Sequence, residues 1–186
     1  MLKTALSYLI TALNQYLGAP PDVAMLGNIA FASESSGDSR PMKNQLVVSV
    51  INVEEDKISK DPLPYRQDGD TVRYQQPAIY LNLYLLVSAN FDSYEDALTA
   101  LGRVIEFFQH KSSYTPENTT DLPEGIDKLV FDLYNVTMDQ VHHLWSMLGG
   151  RYLPSVVYKM RLLKIEQTEE TPAALVRKIQ TSQNVL

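Results

Sequence analysis

One nearly unbroken apolar segment constrains the fold of this chain more than any other feature. Residues 45–54 place apolar and mostly β-branched residues at both odd and even positions. A strand exposed on one face alternates between apolar and polar residues, so apolar residues at both parities indicate a strand covered on both faces. The sequence therefore predicts a central strand with other elements packed above and below its sheet.

Three further segments have the alternation of partly covered strands. In residues 78–87 one face is apolar and the other has polar tips, which is the period of two expected of a strand. The two sets are Ile79, Leu81, Leu83, Leu85 and Val87 on one face, and Tyr80, Asn82 and Tyr84 on the other. Residues 128–134 predict another strand with Leu129, Phe131 and Leu133 on one face. In the last strand, 155–165, we expect Val156, Tyr158, Met160 and Leu162 inward and Lys159 and Arg161 outward.

Three segments have helical spacing. Residues 2–17 repeat large apolar residues every three or four positions, and Gly18 can end the helix in the left-handed conformation. A second helix is predicted over 94–109 with Ser93 as its N-cap, and its apolar stripe is Leu98, Leu101, Ile105 and Phe108. The third follows a capping box formed by Thr137 and Gln140, and its apolar face is Val141, Leu144, Trp145 and Leu148.

The remaining segments are polar. Two long loops are expected, 55–76 and 111–125, and the tail from Gln167 has few apolar residues. Thr171 and Pro172 could open a short helix that reaches Ile179. The predicted fold class is α/β (α+β), with a single mixed sheet of about four strands flanked by two or three helices. We expect one domain over 1–166 and a polar tail over 167–186, which forms a short helix or an arm between subunits.

Composition excludes several kinds of function. The 186 residues contain no cysteine, which excludes disulfides, thiolate nucleophiles and cysteine-ligated metals. The formal net charge of −6, without a basic run, argues against a nucleic-acid partner. No segment approaches the roughly 20 apolar residues that cross a bilayer, and the apolar start lacks the pattern of a signal peptide. We therefore expect cytoplasmic synthesis and no membrane insertion.

The sequence shows no recognisable catalytic, cofactor or metal site. Of the three histidines, His110, His142 and His143, the last two are neighbours on a predicted helix, where side chains point about 100° apart, so these two are poorly placed to share a metal. Phosphate-binding, dinucleotide-binding and nucleophile-elbow motifs are all missing. We predict that the protein is not an enzyme and needs no cofactor.

Two segments are rich in the residue types that interfaces use, namely aromatic residues, Met and Arg. They are residues 145–155 and 80–84. Packing within the monomer explains both segments equally well, and for Trp145, which lies on the apolar stripe of its helix, a core role is favoured. Our candidate interface residues are Trp145, Met147, Arg151, Tyr152, Lys159, Arg161, Tyr80, Asn82 and Tyr84.

These segments also carry a resemblance to a known family. The chain resembles the cap, or tail tube-terminator, proteins of contractile injection systems, which are phage-tail-like particles with an inner tube inside a contractile sheath. The matching motifs, in order, are residues 44–48 with 52–55, 77–84, 104–109, and 145–155 with 157–159 behind them. The resemblance extends from the first helix to about Ile165.

The resemblance implies a structural protein. Such a protein forms a ring, usually a hexamer, on the end of the tube away from the baseplate, ends tube and sheath polymerisation, and anchors the sheath. Its expected partners are copies of itself, the inner tube protein and the sheath protein. Two alternatives remain open. One is an adaptor at the sheath or baseplate of the same particle. The other is a small-molecule or polysaccharide-binding module that uses the Tyr80, Asn82 and Tyr84 face.

Overall fold

Six strands form the main sheet of the computed structural model, which describes residues 1–18, 22–32, 42–57, 65–68, 71–74, 78–149, 151–165 and 171–173. The elements in chain order are α1 (Leu2–Leu17), β1 (Ala24–Leu26), a 3-10 turn (Ile29–Phe31), β2 (Gln45–Glu55), β3 (Tyr65–Asp68), β4 (Thr71–Tyr74), β5 (Ile79–Asn90), α2 (Tyr94–His110), β6 (Ser113–Tyr114), β7 (Leu129–Tyr134), α3 (Met138–Met147), β8 (Ser155–Ile165) and β9 (Thr171–Ala173).

The main sheet is mixed, and its strand order is β1-β2-β5-β8-β7-β6. Only β1 and β2 run parallel, while every other neighbouring pair is antiparallel. The predicted α+β class is confirmed, and the four predicted strands are β2, β5, β7 and β8. The predicted count of about four strands was too low. Strands β1 and β6 have three and two residues, too few to show a periodicity in the sequence.

A second, three-stranded sheet corrects two predictions about polar segments. The predicted loop over 55–76 contains a hairpin, β3 and β4, and β9 pairs with β4. Residues Thr171–Ala173 are therefore a strand and not the start of a helix, since pairing with β4 provides hydrogen bonds that the local sequence does not reveal. The rest of the expected tail helix, 174–179, lies outside the described residues.

The sheet separates two hydrophobic cores. The first core lies between one face of the sheet and helices α1 and α2, and the second lies between the other face, the 3-10 turn and α3. Strand β2 supplies Leu46 and Val48 to the first core and Val47 to the second. The prediction of a strand covered on both faces is confirmed for Leu46–Ser49 and is wrong for the more exposed half that follows.

Helix α1 matches its predicted range, and Gly18 follows it with a φ of 76° and donates its N–H to the Asn14 carbonyl. Helix α2 also begins as predicted, because Ser93 Oγ accepts the Asp96 N–H at 3.3 Å. Its predicted apolar stripe was partly wrong. Leu98 and Ile105 are 47% and 38% exposed, while the buried residues are Ala97, Leu101, Val104, Phe107 and Phe108.

Two aromatic residues at the end of α2 explain why its buried face is rotated away from the predicted stripe. The Phe107 ring packs against Tyr16 of α1 at 5.4 Å, and the Phe108 ring packs against Tyr158 of β8 at 4.1 Å. Large rings dominate the area buried in a core. Fitting both of them therefore turns Leu98 and Ile105 towards solvent.

A bulge changes the face predicted for the far end of β8. Leu81 pairs with Leu163 and Leu83 pairs with Met160, so the extra residue lies in β8. A bulge adds one residue and exchanges the two faces beyond it. Accordingly Leu163 is fully buried in the first core. Ile79, predicted to face inward, is exposed at the first position of β5, which the bulge does not affect. The inward prediction for Leu162 concerns a side chain outside the described part.

Candidate functional site

Helix α3 covers only part of the second face of the sheet, and the strands beyond it carry charged and aromatic residues. Cross-strand register places Asn52, Tyr84, Lys159 and Asp132 in one row across β2, β5, β8 and β7. Glu54, Tyr134 and Arg161 lie around this row. We call these seven residues the open patch: Asn52, Glu54, Tyr84, Asp132, Tyr134, Lys159 and Arg161.

The charges of the open patch neutralise one another. Arg161 Nε lies 2.6 Å from Asp132 Oδ2, and Lys159 Nζ lies 3.8 Å from Glu54 Oε2. Arg161 and Lys159 are predicted to project outward and are among the candidate interface residues. Both are only partly exposed, and each is already paired within the chain. Screened pairs of this kind contribute little to stability, so their effect is to hold side-chain positions.

The aromatic residues of the open patch are held by the same groups. Tyr84 donates its hydroxyl hydrogen to Glu54 Oε2 at 2.9 Å, and its ring lies 4.9 Å from the Tyr134 ring in a T-shaped arrangement. Lys159 Nζ lies 5.1 Å from the centre of the Tyr84 ring. Hydrogen bonding with the Tyr84 side chain is the main cause that raises the pKa of Lys159. Lys159 is therefore charged at neutral pH.

Two other predicted interface residues of β5 have less access to a partner. Asn82 is 7% exposed, and its Oδ1 has no hydrogen-bond partner among the residues that the structure describes. It lies where the register of β5 and β8 shifts, and Tyr80 is half-buried beside it. A binding face made of Tyr80, Asn82 and Tyr84 would need all three side chains to be reachable. The structure therefore gives little support to that alternative.

Trp145 is a core residue. Only 5% of it is exposed, and it belongs to the second core with Val47 and Leu86. Its ring also contacts the Tyr152 ring at 5.7 Å. We had selected Trp145 as a candidate interface residue, and the structure gives it a packing role because α3 presents its apolar face to the sheet.

The rest of the predicted interface segment is exposed. Met147 is 77% exposed, Tyr152 is 61% exposed, and Arg151 is also exposed. Met147 is the last residue of α3, Arg151 and Tyr152 come shortly after it, and Gly149 in the turn that ends the helix has a φ of 98°. Positive φ favours glycine and makes this sharp turn possible. We call Met147, Arg151 and Tyr152 the α3 knob.

A pocket between α1 and α2 was missed from the sequence. It has a volume of about 470 Å³, its apolar lining includes Leu17, Leu46, Phe91 and Ala100, and Asp96 lies on its lining beside Thr99. We call it the α1–α2 pocket. The lining comes from three separated parts of the chain, namely Leu17 with Val23, Asn44 with Leu46, and residues between 91 and 103. No local sequence pattern therefore predicts this pocket. The exposed Leu98 and Ile105 were missed for another reason, since their spacing had indicated burial.

Metal sites and membrane-spanning helices are both missing from the part of the chain that the structure describes. No group of three or more His, Asp or Glu side chains is placed to hold a metal ion there. Among the same residues, no helix has the length and apolar character to span a bilayer.

Comparison with known proteins gives a consistent result. Over 100% of its length the chain is similar to the sheath/tube terminator, in the extended state, of an extracellular contractile injection system called PVC, with a TM-score of 0.64 and 13% identity. Over 98% of its length it is similar to the tube-terminating cap of the anti-feeding prophage, with a TM-score of 0.65 and 14% identity. The chain spans 64% and 60% of those two proteins. None of the curated proteins matches the sequence.

These likenesses confirm the predicted resemblance to tube terminators and the terminator-like fold. At 13% and 14% identity they concern the fold alone. A family model also matches the sequence itself: the Pvc16 N-terminal domain family matches residues 4–178, nearly the whole chain. The protein therefore belongs to the Pvc16 N-terminal domain family.

Proposed function

We propose that six copies of this chain form a ring on the baseplate-distal end of the inner tube of a contractile injection particle. The ring ends polymerisation of tube and sheath and anchors the sheath to the tube. The observation that supports this most is the likeness of 98–100% of the chain to one sheath/tube terminator and one tube-terminating cap. The chain is made in the cytoplasm and becomes part of the particle.

The physical logic of termination agrees with this role. Head-to-tail contacts produce an open-ended tube, and growth stops when the last subunit matches the tube on one face and offers nothing to the next subunit on the other. A terminator needs different surfaces for different neighbours. The chain has several, including the neutralised open patch, the α3 knob and the exposed Leu98 and Ile105 of α2.

A structural role also agrees with the side chains of the site. The open patch contains carboxylates and cations, but they form ion pairs with one another. The Tyr84 hydroxyl donates to Glu54, and the same carboxylate oxygen is paired with Lys159. Nothing in this arrangement offers an activated nucleophile. We therefore propose that the protein acts through binding and not through catalysis.

The test is electron microscopy of particles from a producing strain in which this gene is deleted, with a complemented strain as the control. We expect tubes and sheaths of uncontrolled length, or sheaths detached at one end. A complete absence of particles would favour a role in the baseplate or in initiation. Normal particles would contradict the proposal and leave an adaptor or a binding module to be examined.

A further inference from the structure

The α3 knob is a small surface of a kind that seldom remains uncovered in an assembly. Met147 and Tyr152 are among the most exposed large apolar residues of the described chain. Arg151, between them in sequence, forms no ion pair within the residues that the structure describes. Met, Tyr and Arg are enriched at the centres of protein interfaces. The knob therefore offers apolar contact area and one unpaired positive charge.

The α1–α2 pocket has complementary features. Its floor is apolar, with Leu17, Leu46 and Phe91, and its volume of about 470 Å³ leaves room for a side chain such as methionine. Two carboxylates lie on its lining. Asp92 is already 3.1 Å from Lys43, whereas Asp96 has no ion pair among the described residues. Arg103 also lies on the lining, where its guanidinium donates to the Leu17 carbonyl. The pocket thus offers an apolar cavity and, in Asp96, one carboxylate without an ion pair among the described residues.

We propose that the α3 knob of one copy inserts into the α1–α2 pocket of the next copy in the ring. Met147 occupies the apolar floor, and Arg151 pairs with Asp96 of the neighbouring copy. The inference rests on the proposed function, because it identifies the contact that joins adjacent copies. A charge pair beside a buried apolar contact fixes the orientation of the two copies and raises the association rate.

The positions of the two surfaces decide the symmetry. The knob follows α3, which packs on the second core, and the pocket is bounded by α1 and α2, which pack on the first core. The two surfaces lie on opposite faces of the sheet. A copy that gives its knob to one neighbour can still receive the knob of another. Such a head-to-tail contact generates a closed ring, or an open filament when the rotation does not close.

Disulfide cross-linking tests the contact directly, because the natural chain has no cysteine. Met147→Cys and Thr99→Cys are prepared as separate variants, mixed and mildly oxidised. Both side chains are exposed, so neither change should disturb the monomer. We expect the mixture to form several times more disulfide-linked dimer than either variant alone. A matched control replaces Thr99→Cys with Tyr94→Cys, an exposed position of α2 that does not line the pocket.

A mixture that gives no more dimer than the single variants or the Tyr94→Cys control overturns the contact. If the mixture does give the specific dimer, the double variant Met147→Cys/Thr99→Cys distinguishes a head-to-tail contact from a two-fold contact. A ladder of increasing multiples that stops at a fixed size supports the head-to-tail ring. A product that stops at a doubly linked dimer would mean a two-fold contact and would overturn the proposed arrangement.

Charge reversal gives an independent readout by sedimentation or native mass spectrometry. We expect Arg151→Glu or Asp96→Arg alone to weaken association at least about tenfold, because each brings like charges together. An equal mixture of the two variants should restore it, since every contact then joins opposite charges. Glu95→Arg is the matched control and should leave association unchanged. Failure of the mixture to recover would contradict the pairing of Arg151 with Asp96.

These experiments use the purified chain without tube or sheath, so their result is separate from that of the gene deletion. A specific cross-link together with normal particles in the deletion strain would keep the contact and reject the cap function. Overlong tubes without any cross-link would keep the cap function and reject this contact.

Discussion

Replacing Trp145 separates the role of this segment in folding from its role in assembly. Trp145→Ala removes a side chain that is 5% exposed in the second core. Large-to-small changes of this kind cost about 3–5 kcal/mol. The indole N–H is buried and has no hydrogen-bond partner in the described part of the chain, and removing such a group returns about 1 kcal/mol. We therefore expect the free energy of unfolding to fall by about 3 kcal/mol.

Urea denaturation followed by far-ultraviolet circular dichroism measures this loss. With a denaturant slope of about 2 kcal/mol/M, the midpoint should fall by about 1.5 M. Met147→Ala, two residues away and 77% exposed, is the matched control and should change stability by less than about 0.5 kcal/mol. A Trp145→Ala midpoint within about 0.3 M of the unmodified protein would refute the packing role that we assign to this residue.

Three further predictions concern hydrogen bonds and titration. Thr137→Ala should cost about 1 kcal/mol in thermal or urea unfolding, because Thr137 Oγ1 accepts the Gln140 N–H at 3.3 Å; an unchanged midpoint would contradict this. Asn14→Ala should cost about 2 kcal/mol, since the Asn14 amide bonds both the N–H and the carbonyl of Ala24; Asn14→Asp, which keeps only the acceptor, should be intermediate. Burial raises the pKa of Tyr114 above its usual value of 10.0, so the unfolded chain loses this proton first and stability falls by about 1.4 kcal/mol per pH unit above pH 10. Tyr114→Phe should remove that part of the alkaline loss with little change at pH 7, because the buried hydroxyl has no hydrogen-bond partner within the described ranges. An equally steep loss in both proteins would rule out Tyr114 as its source.

The long elements were predictable because each carries a complete local signal. The first helix has its apolar spacing and its glycine stop, α3 has a capping box that both hydrogen bonds confirm, and β8 has the predicted range of Ser155–Ile165. The resemblance to tube terminators was also visible in the sequence, because its motifs lie within these elements. Apolar spacing, capping boxes and glycine stops are local patterns, so they can be recognised in a single sequence.

The parts that escaped prediction depend on contacts between distant segments. Strands β3 and β9 have four and three residues, too few to show a periodicity, and each pairs with β4. The rotation of α2 follows from rings on two other elements, Tyr16 and Tyr158. The candidate site shows the same limit. The sequence indicated that residues 145–155 are rich in residue types found at interfaces. Only the burial seen in the structure shows that Trp145 belongs to the core and that Met147 is exposed.

Strand β2 shows how alignment and burial can be specified by different residues. Leu46, Val47 and Val48 are apolar at both parities, so a shift of one position would bury almost the same set of side chains. Asn44 accepts the Asp92 N–H at one end, and Ser49 donates its hydroxyl hydrogen to the Gly27 carbonyl and accepts the Ile29 N–H at the other. The hydrogen bonds of Asn44 and Ser49 therefore fix the register of this strand, one at each end of the apolar segment. Exchanges among the apolar residues between them change the packed volume, whereas replacing Asn44 or Ser49 removes a hydrogen bond that specifies the register.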